Sequence, residues 1–164
     1  MPSNPAYRIA ILTSSDAGSR GERDDVSGRL LSTKAARIGT VVDTAILPDE
    51  PDLLDSQIRQ WVGDQIDLVL STGGTGLGPR DVMPEVTSRI IDREVPGMAE
   101  AMRHASLAYT PMGMLSRGLV GVSQKTLIIN FPGSPKSIEQ LWALVSPVIP
   151  HALDLIAGHT RHDS

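Results

Sequence analysis

Asp67-Leu68-Val69-Leu70-Ser71-Thr72 runs without a break into Gly73-Gly74-Thr75-Gly76-Leu77-Gly78-Pro79-Arg80-Asp81. The first six residues are a short, mostly apolar run, the pattern of a strand buried on both faces. Four glycines between positions 73 and 78 then allow the backbone to turn and to bring its N–H groups close to a ligand. In open parallel sheets, ligands bind beyond the carboxyl ends of the strands, so this junction sets both the fold class and the place to look for chemistry.

Working outward, the same alternation of buried runs and helical spacing recurs. Upstream, Arg8–Thr13 (RIAILT) predicts a first strand ending in Ser14, Ser15 and Asp16, followed by a polar loop from Gly18 to Asp25. Helical spacing begins near Ser27 and carries Leu30, Leu31, Lys34, Ala35 and Ile38 on one face, with Gly39 as terminator. Val41–Leu47 predicts a second strand, broken by Pro48, and Leu54, Ile58, Trp61, Val62 and Ile66 mark the next helix. Downstream, Val82–Asp92 and Pro96–Tyr109 read as helices, the second with proline in its first turn. Thr110–Val122 has three glycines and no clear period, so it is expected to be irregular or partly extended. Thr126–Asn130 predicts a strand, and a helix through Ile138, Leu141, Trp142 and Val145 follows, with Ser134 as N-cap and Pro135 at its first position. A last helix over Val148–Ala157 stops at Gly158. The whole reads as one α/β domain, residues 1–164, with a mainly parallel sheet and no linker or repeat.

Composition narrows the function. The 164 residues are 40% hydrophobic and 21% charged, which is globular, and a chain of this length buries roughly 70% of its unfolded surface. Cysteine is absent, which excludes disulfides, Cys-ligated metals and thiol nucleophiles. A net charge of −4 and only five aromatic residues argue against a nucleic-acid partner. No apolar run approaches a membrane span, no signal pattern opens the chain, and the expected setting is the cytoplasm.

Four polar clusters fall at predicted strand ends: Ser14–Asp16, Pro48-Asp49-Glu50, Thr72–Asp81 and Asn130–Lys136. Alone, the glycine-rich stretch is equally a turn without a ligand, and it is neither a Walker A loop nor a GxGxxG fingerprint. Arg80 and Asp81 directly after it favour a phosphate ligand. A carboxylate beside a polyphosphate repels it unless a cation intervenes, so Asp49 and Asp81 read as a Mg²⁺ site, Mg²⁺ taking one or two carboxylates plus phosphate oxygens. The alternative is that Asp49 and Asp81 merely cap the helices near Pro51 and Val82. Asn130–Lys136 read alone is a capped helix start, which also offers N–H groups to an anion. His104, His151, His159 and His162 show no metal or triad pattern; Ser14, Ser15 and Ser116 lack a nucleophile context; Met98, Met102, Met112 and Met114 read as packing.

Taken together, these clusters resemble the MogA/MoaB family of molybdenum-cofactor biosynthesis proteins, which is similar to the gephyrin G domain. The matching stretches are Ser15-Asp16, Asp25-Val26-Ser27-Gly28, Leu47-Pro48-Asp49-Glu50, Ser71–Pro84, Glu94-Val95-Pro96-Gly97, Met114-Leu115-Ser116-Arg117 and Ile129–Pro135. The resemblance implies a three-layer α/β/α sandwich, usually a homotrimer, that transfers AMP from ATP to molybdopterin and releases pyrophosphate. It implies catalytic, Mg²⁺-holding roles for Asp49 and Asp81. Gly73, Gly74, Thr75, Gly76, Arg80, Pro132, Gly133 and Ser134 would contact the nucleotide, and Ser14, Asp16, Ser116 and Arg117 the molybdopterin. Arg80 and Lys136 are candidate charge partners for the phosphates. Transient contact with a molybdate-insertion protein is a further implication, and no nucleic-acid or membrane partner is expected. Two alternatives stay open within the same resemblance: a molybdopterin-binding scaffold without transfer activity, and a nucleotide pyrophosphatase.

Overall fold

A computed structural model describes residues 6–159, so His162 lies outside the described residues. Four strands run parallel: β1 (Tyr7–Ser14), β2 (Gly39–Leu47), β3 (Leu68–Thr72) and β6 (Thr126–Phe131). Two more, β4 (Arg93–Glu94) and β5 (Val120–Ser123), complete a six-stranded sheet in the order β2-β1-β3-β6-β5-β4, with β5 antiparallel to β6 and β4 antiparallel to β5. Every residue of β3 and β6 is buried, which is why both read as unbroken apolar runs rather than alternating ones.

The period of two along each strand sorts the core into two halves. Ile9, Ile11, Leu68, Leu70, Leu127, Ile129 and Phe131 pack on one side against α2 (Val26–Ala35), α5 (Pro96–Ser106), α6 (Pro135–Val145) and α7 (Ile149–Ile156). Ala10, Leu12, Val69 and Ile128 face the other side, against α3 (Pro51–Gly63) and α4 (Met83–Ile90). This is the expected three-layer α/β/α sandwich. Leu54, Ile58 and Trp61 of α3 are at most 1% exposed, and each such side chain contributes roughly 1.5–3 kcal/mol of burial free energy.

From β1 the chain moves out to β2 through α2, then returns across β1 to β3 through α3 on the opposite face. Reversing both direction and face keeps the two crossovers of one hand. The reversal puts a topological switch point between β1 and β3, where a crevice opens at their carboxyl ends.

Expectations are met in part and several are corrected. Thr110–Val122, expected irregular or partly extended, is both: it holds a 3₁₀ turn at Pro111–Leu115 and then β5, which has no alternation because all four of its residues are buried. Beneath it, a Cβ on Gly121 would lie 2.7 Å from Ile91 Cδ1. The four-residue helix α1 (Asp16–Ser19) and the two-residue β4 are too short to leave a periodic signal. α4 stops short of Asp92, whose N–H bonds the Val122 carbonyl at 2.9 Å and joins the sheet edge. α5 stops at Ser106, whose carbonyl accepts from both Tyr109 and Thr110 at 3.0 Å as the chain turns back. α2 starts at Val26, capped by Asp25, and ends at Ala35, so Gly39 terminates no helix; it opens β2 instead. Between β1 and β2 the register slips by one residue, Ile9 pairing Val41 and Ala10 pairing Asp43, which leaves Val42 as a bulge. Met102 is buried and Met98 packs against the core, but Met112 and Met114 are 64% and 68% exposed, so packing does not explain the last two. No helix among the described residues is long and apolar enough to cross a membrane.

A Cβ on Gly39 would sit 2.3 Å from the Tyr7 carbonyl oxygen, a backbone atom that cannot swing aside. Gly39→Ala should therefore pry apart the start of the β1–β2 pairing and destabilise the protein by about 1–3 kcal/mol. Urea denaturation should show a lower midpoint with an unchanged slope.

Candidate functional site

The crevice is built from backbone before side chains. Gly73 leaves β3 at φ +90° and donates its N–H to the Phe131 carbonyl at 3.2 Å, while a Cβ there would lie 2.5 Å from the Ser14 carbonyl oxygen. Both the dihedral and the space demand glycine. Gly74, at φ +71°, then turns the loop so that its carbonyl accepts the N–H of Met83 at 3.1 Å. Thr72 Oγ1 donates to the Pro132 carbonyl at 2.8 Å and Ser27 Oγ to the Gly133 carbonyl at 2.6 Å, stitching the β3 loop, the β6 loop and the start of α2 together. Between them lies a cleft of about 560 Å³ lined by Thr13–Ser15, Asp25–Ser27, Gly73 and Gly133–Pro135, large enough for a small-molecule ligand. Ser134 caps α6, accepting from the Ser137 N–H at 3.4 Å with Pro135 at the first helical position, so the positive end of that helix faces the cleft.

Beside the cleft stands a charged ridge. Asp49 accepts from Ser14 Oγ at 2.5 Å and from the Asp16 N–H at 3.2 Å, and its own N–H donates to Asp16 Oδ1 at 3.0 Å. Arg80 reaches back from the glycine-rich loop, giving Asp16 two bonds of 3.0 and 2.9 Å and Glu50 one of 2.9 Å. The Arg80 guanidinium, helped by the Asp49 N–H, holds the Asp16 carboxyl down at about 2. Asp81 Oδ2 accepts from the Gly78 N–H at 2.8 Å, while the Asp81 N–H donates to the Gly78 carbonyl at 3.0 Å, closing the loop on itself. A Cβ on Gly76 or Gly78 would press within 2.9 Å of that same oxygen. Capping explains neither aspartate: the N-cap positions of α3 and α4 are Glu50 and Val82, and neither makes a side-chain cap bond.

The remaining predicted residues separate. Thr75 is buried, and its carbonyl accepts the Arg117 N–H at 2.9 Å. The Arg117 guanidinium turns towards the loop and not into the cleft, whereas Ser116 lines a void of about 10 Å³ beside Asn130 and Pro132. Lys136 is exposed in the first turn of α6; His104, His151 and His159 are exposed, and none of the three lines the cleft. Ser15 caps α1, accepting from the Gly18 N–H at 3.0 Å. Four residues have roles that sequence reasoning did not assign. Asp25 caps α2 and accepts from Thr13 Oγ1; Glu50 shares Arg80; Glu85 pairs with Arg117; and buried Asn130 donates to Ser71 and Thr87 while accepting from the Leu119 N–H. Asp25, Glu50 and Asn130 sit inside the motif stretches, which was the available signal.

Asp16, Asp49, Glu50, Asp81 and Glu85 lie beside Arg80 and Arg117, which they or nearby carbonyls engage, while Arg23, Asp24 and Asp25 line the cleft itself. No group of three or more His, Asp or Glu among the described residues forms a closed metal cage. The donors that exist, single carboxylates beside an open cleft, suit a hard cation that keeps water and takes further oxygens from a ligand.

The family described as "Probable molybdopterin binding domain" matches residues 10–151. The molybdopterin adenylyltransferase of Helicobacter pylori is 39% identical over 155 residues, 92% of this chain and 88% of that protein. Molybdenum cofactor biosynthesis protein B of Escherichia coli is 42% identical over 138 residues, 82% of this chain and 80% of that protein. The crystal structure of the molybdopterin biosynthesis enzyme MoaB from Thermus thermophilus is 47% identical, covers 93% of this chain and 97% of its own, and superposes with a TM-score of 0.86.

The Asp16–Arg80 contact has a measurable signature. A depressed carboxyl stabilises the fold above its ordinary value of 3.8, and that contribution is lost as pH falls towards about 2. Arg80→Gln should return the Asp16 titration most of the way to 3.8, read by carboxyl carbon NMR against pH. An unmoved midpoint would show that the Asp49 N–H alone sets it.

Proposed function

Because this chain belongs to the molybdopterin-binding domain family of molybdenum-cofactor biosynthesis proteins, we propose that it is a molybdopterin adenylyltransferase that uses ATP and Mg²⁺. The observation that carries the reading is the switch-point crevice itself, where Gly73 of the glycine-rich loop and the N-terminus of α6 line one cleft and Asp49, not committed to capping, is hydrogen-bonded to its wall at Ser14.

The terminal phosphate oxygen of molybdopterin attacks the α-phosphorus of ATP. A new P–O bond forms, the bond between the α-phosphorus and the bridging oxygen breaks, and pyrophosphate leaves with that electron pair. The nucleophile needs no general base, since the second pKa of a phosphomonoester is about 6 and it is ionised near neutrality. That agrees with a cleft without histidine or cysteine. The chain's task is to hold two anions in line. Backbone N–H groups of Gly74, Thr75 and Gly76, together with Gly133 and Ser134 at the start of α6, would receive nucleotide phosphates, while Gly73, whose N–H is held by the Phe131 carbonyl, and Pro132, which has no N–H, shape the backbone beside them. Ser14 and Asp16 lie on the molybdopterin side. Asp49 and Asp81 would hold Mg²⁺, which when bound supplies charge neutralisation between the two phosphates. Arg80 can exchange its carboxylate partners for a phosphate without leaving the ridge. A cytoplasmic setting follows from the ATP consumed.

The same reading includes a homotrimer, supported by apolar side chains left open on one turn: Tyr109 is 60% exposed, beside Met112 and Met114. Sedimentation equilibrium should give about 52 kDa, three times the 17.5 kDa chain, and a monomer mass would remove this part.

Asp49→Asn and Asp81→Asn test the chemistry. The amide introduced by Asp81→Asn would retain an oxygen for the Gly78 N–H. The amide introduced by Asp49→Asn would keep an oxygen for the Asp16 N–H while donating to Ser14, so both variants should fold. Each should keep molybdopterin binding but lose roughly a hundredfold or more in formation of adenylyl-molybdopterin. Near-normal product from both at saturating Mg²⁺ would overturn the metal assignment. If the unaltered chain bound molybdopterin without making product, the scaffold reading would replace the enzyme.

A further inference from the structure

Arg117 is mounted on an anchored strap. Its neighbours are fixed from behind: Arg103 Nη1 donates to the Gly118 carbonyl at 2.8 Å, and the Leu119 N–H donates to Asn130 Oδ1 at 3.0 Å while the Asn130 N–H returns a bond to the Leu119 carbonyl at 3.0 Å. From this mount the backbone N–H of Arg117 bonds Thr75 at 2.9 Å, and its side chain spreads over the glycine-rich loop. Nε donates to the Gly76 carbonyl at 2.9 Å, Nη2 to the Asp81 carbonyl at 3.0 Å, and Nη1 pairs with Glu85 in the first turn of α4.

These contacts fall at the beginning, the end and just beyond the segment 76–81. That segment has glycines at 76 and 78 and an exposed Leu77; apart from Arg117 it is held by the two Asp81–Gly78 bonds and, on its opposite side, by Arg80 on Asp16 and Glu50, and neither set ties it to α4 or to the strap. The planar guanidinium is the one side chain whose fork meets three separate acceptors at once; a lysine ammonium is a single point and cannot span them. The same pairing keeps the Glu85 carboxyl below its usual range.

We propose that Arg117 is a positioning residue for the adenylyl-transfer site: it fixes the glycine-rich loop, and with it the Asp81 carboxylate, in the conformation that receives nucleotide, and it does not contact molybdopterin. The inference rests on the function proposed above for its ligand, but its first measurement does not. In the ligand-free protein, amide hydrogen exchange across 74–83 should accelerate roughly tenfold or more in Arg117→Gln, with the circular-dichroism spectrum retained. Arg117→Lys should restore only a small part of that protection, and Glu85→Gln, which leaves the two carbonyl bonds in place, should fall between. The second measurement is calorimetric binding of a non-hydrolysable ATP analogue with Mg²⁺, and of molybdopterin, each alone. Nucleotide affinity should fall roughly tenfold in Arg117→Gln and molybdopterin affinity stay within about twofold.

Unchanged exchange in Arg117→Gln would overturn the proposal, as would loosened exchange with intact nucleotide affinity. A selective loss of molybdopterin affinity would make Arg117 a direct contact and overturn it as well. Should Arg117→Gln not fold, Glu85→Gln carries the same comparison, and unchanged exchange there overturns the claim that the ion pair matters. If the unaltered chain binds no nucleotide, the functional reading fails and this role falls with it, whereas the exchange result separately reports whether Arg117 orders the loop.

Discussion

The backbone of Gly73 crosses the end of β1 with its α-carbon turned so tightly towards the Ser14 carbonyl that no side chain fits between them. Much of the site's architecture is conditional on that crossing. It brings the ends of two parallel strands together where the chain order reverses, forces the positive φ that swings the loop out of the sheet, and leaves the N–H of Gly73 to tie to β6. A side chain here would separate β1 from β3 at their tips and dissolve the crevice, although the buried core a few residues below would remain intact.

Charge at the rim sets a second constraint. The start of α6 and Arg23 line the cleft, yet Arg80 and Arg117 beside it are already bonded to protein acceptors. In the proposed reaction, backbone dipoles, Arg23 and a divalent cation would let such a border accept a polyanion. The arginines differ in what they hold. Arg80 bonds only carboxylates, partners that a phosphate can replace, whereas Arg117 bonds two carbonyls that nothing soluble will displace.

The fold was legible wherever burial wrote itself as a run or a period. β1, β3 and β6 stand out because both faces are covered, and α3 because Leu54, Ile58, Trp61 and Val62 share one side. β5 and β4 did not stand out: one is four small buried residues and the other two exposed ones, and only pairing across the sheet defines them. Gly39 looked like a helix stop because the close approach that requires it comes from Tyr7, which no local window contains. The site shows the same division. The glycine-rich loop and the aspartates are local signals, and the motif stretches brought them together. The partners of Arg117 lie 41, 36 and 32 positions away, so its orientation is a property of the folded chain alone.

The bulge at Val42 bears on a different hazard. β2 is the open margin of the sheet, nine residues long, with a row of main-chain groups facing outward. A flat margin of that length is a template on which a second molecule can add a strand. The extra residue breaks the even spacing of donors and acceptors near the middle of the row and increases the local twist. One position further, Asp43 is exposed with its carboxylate held by the Trp61 indole N–H at 2.9 Å, so an incoming strand would meet a fixed negative charge. The margin that the parallel topology leaves uncovered is thereby a poor seed for runaway strand addition, and the molecule guards against aggregation with one inserted residue and one tethered acid.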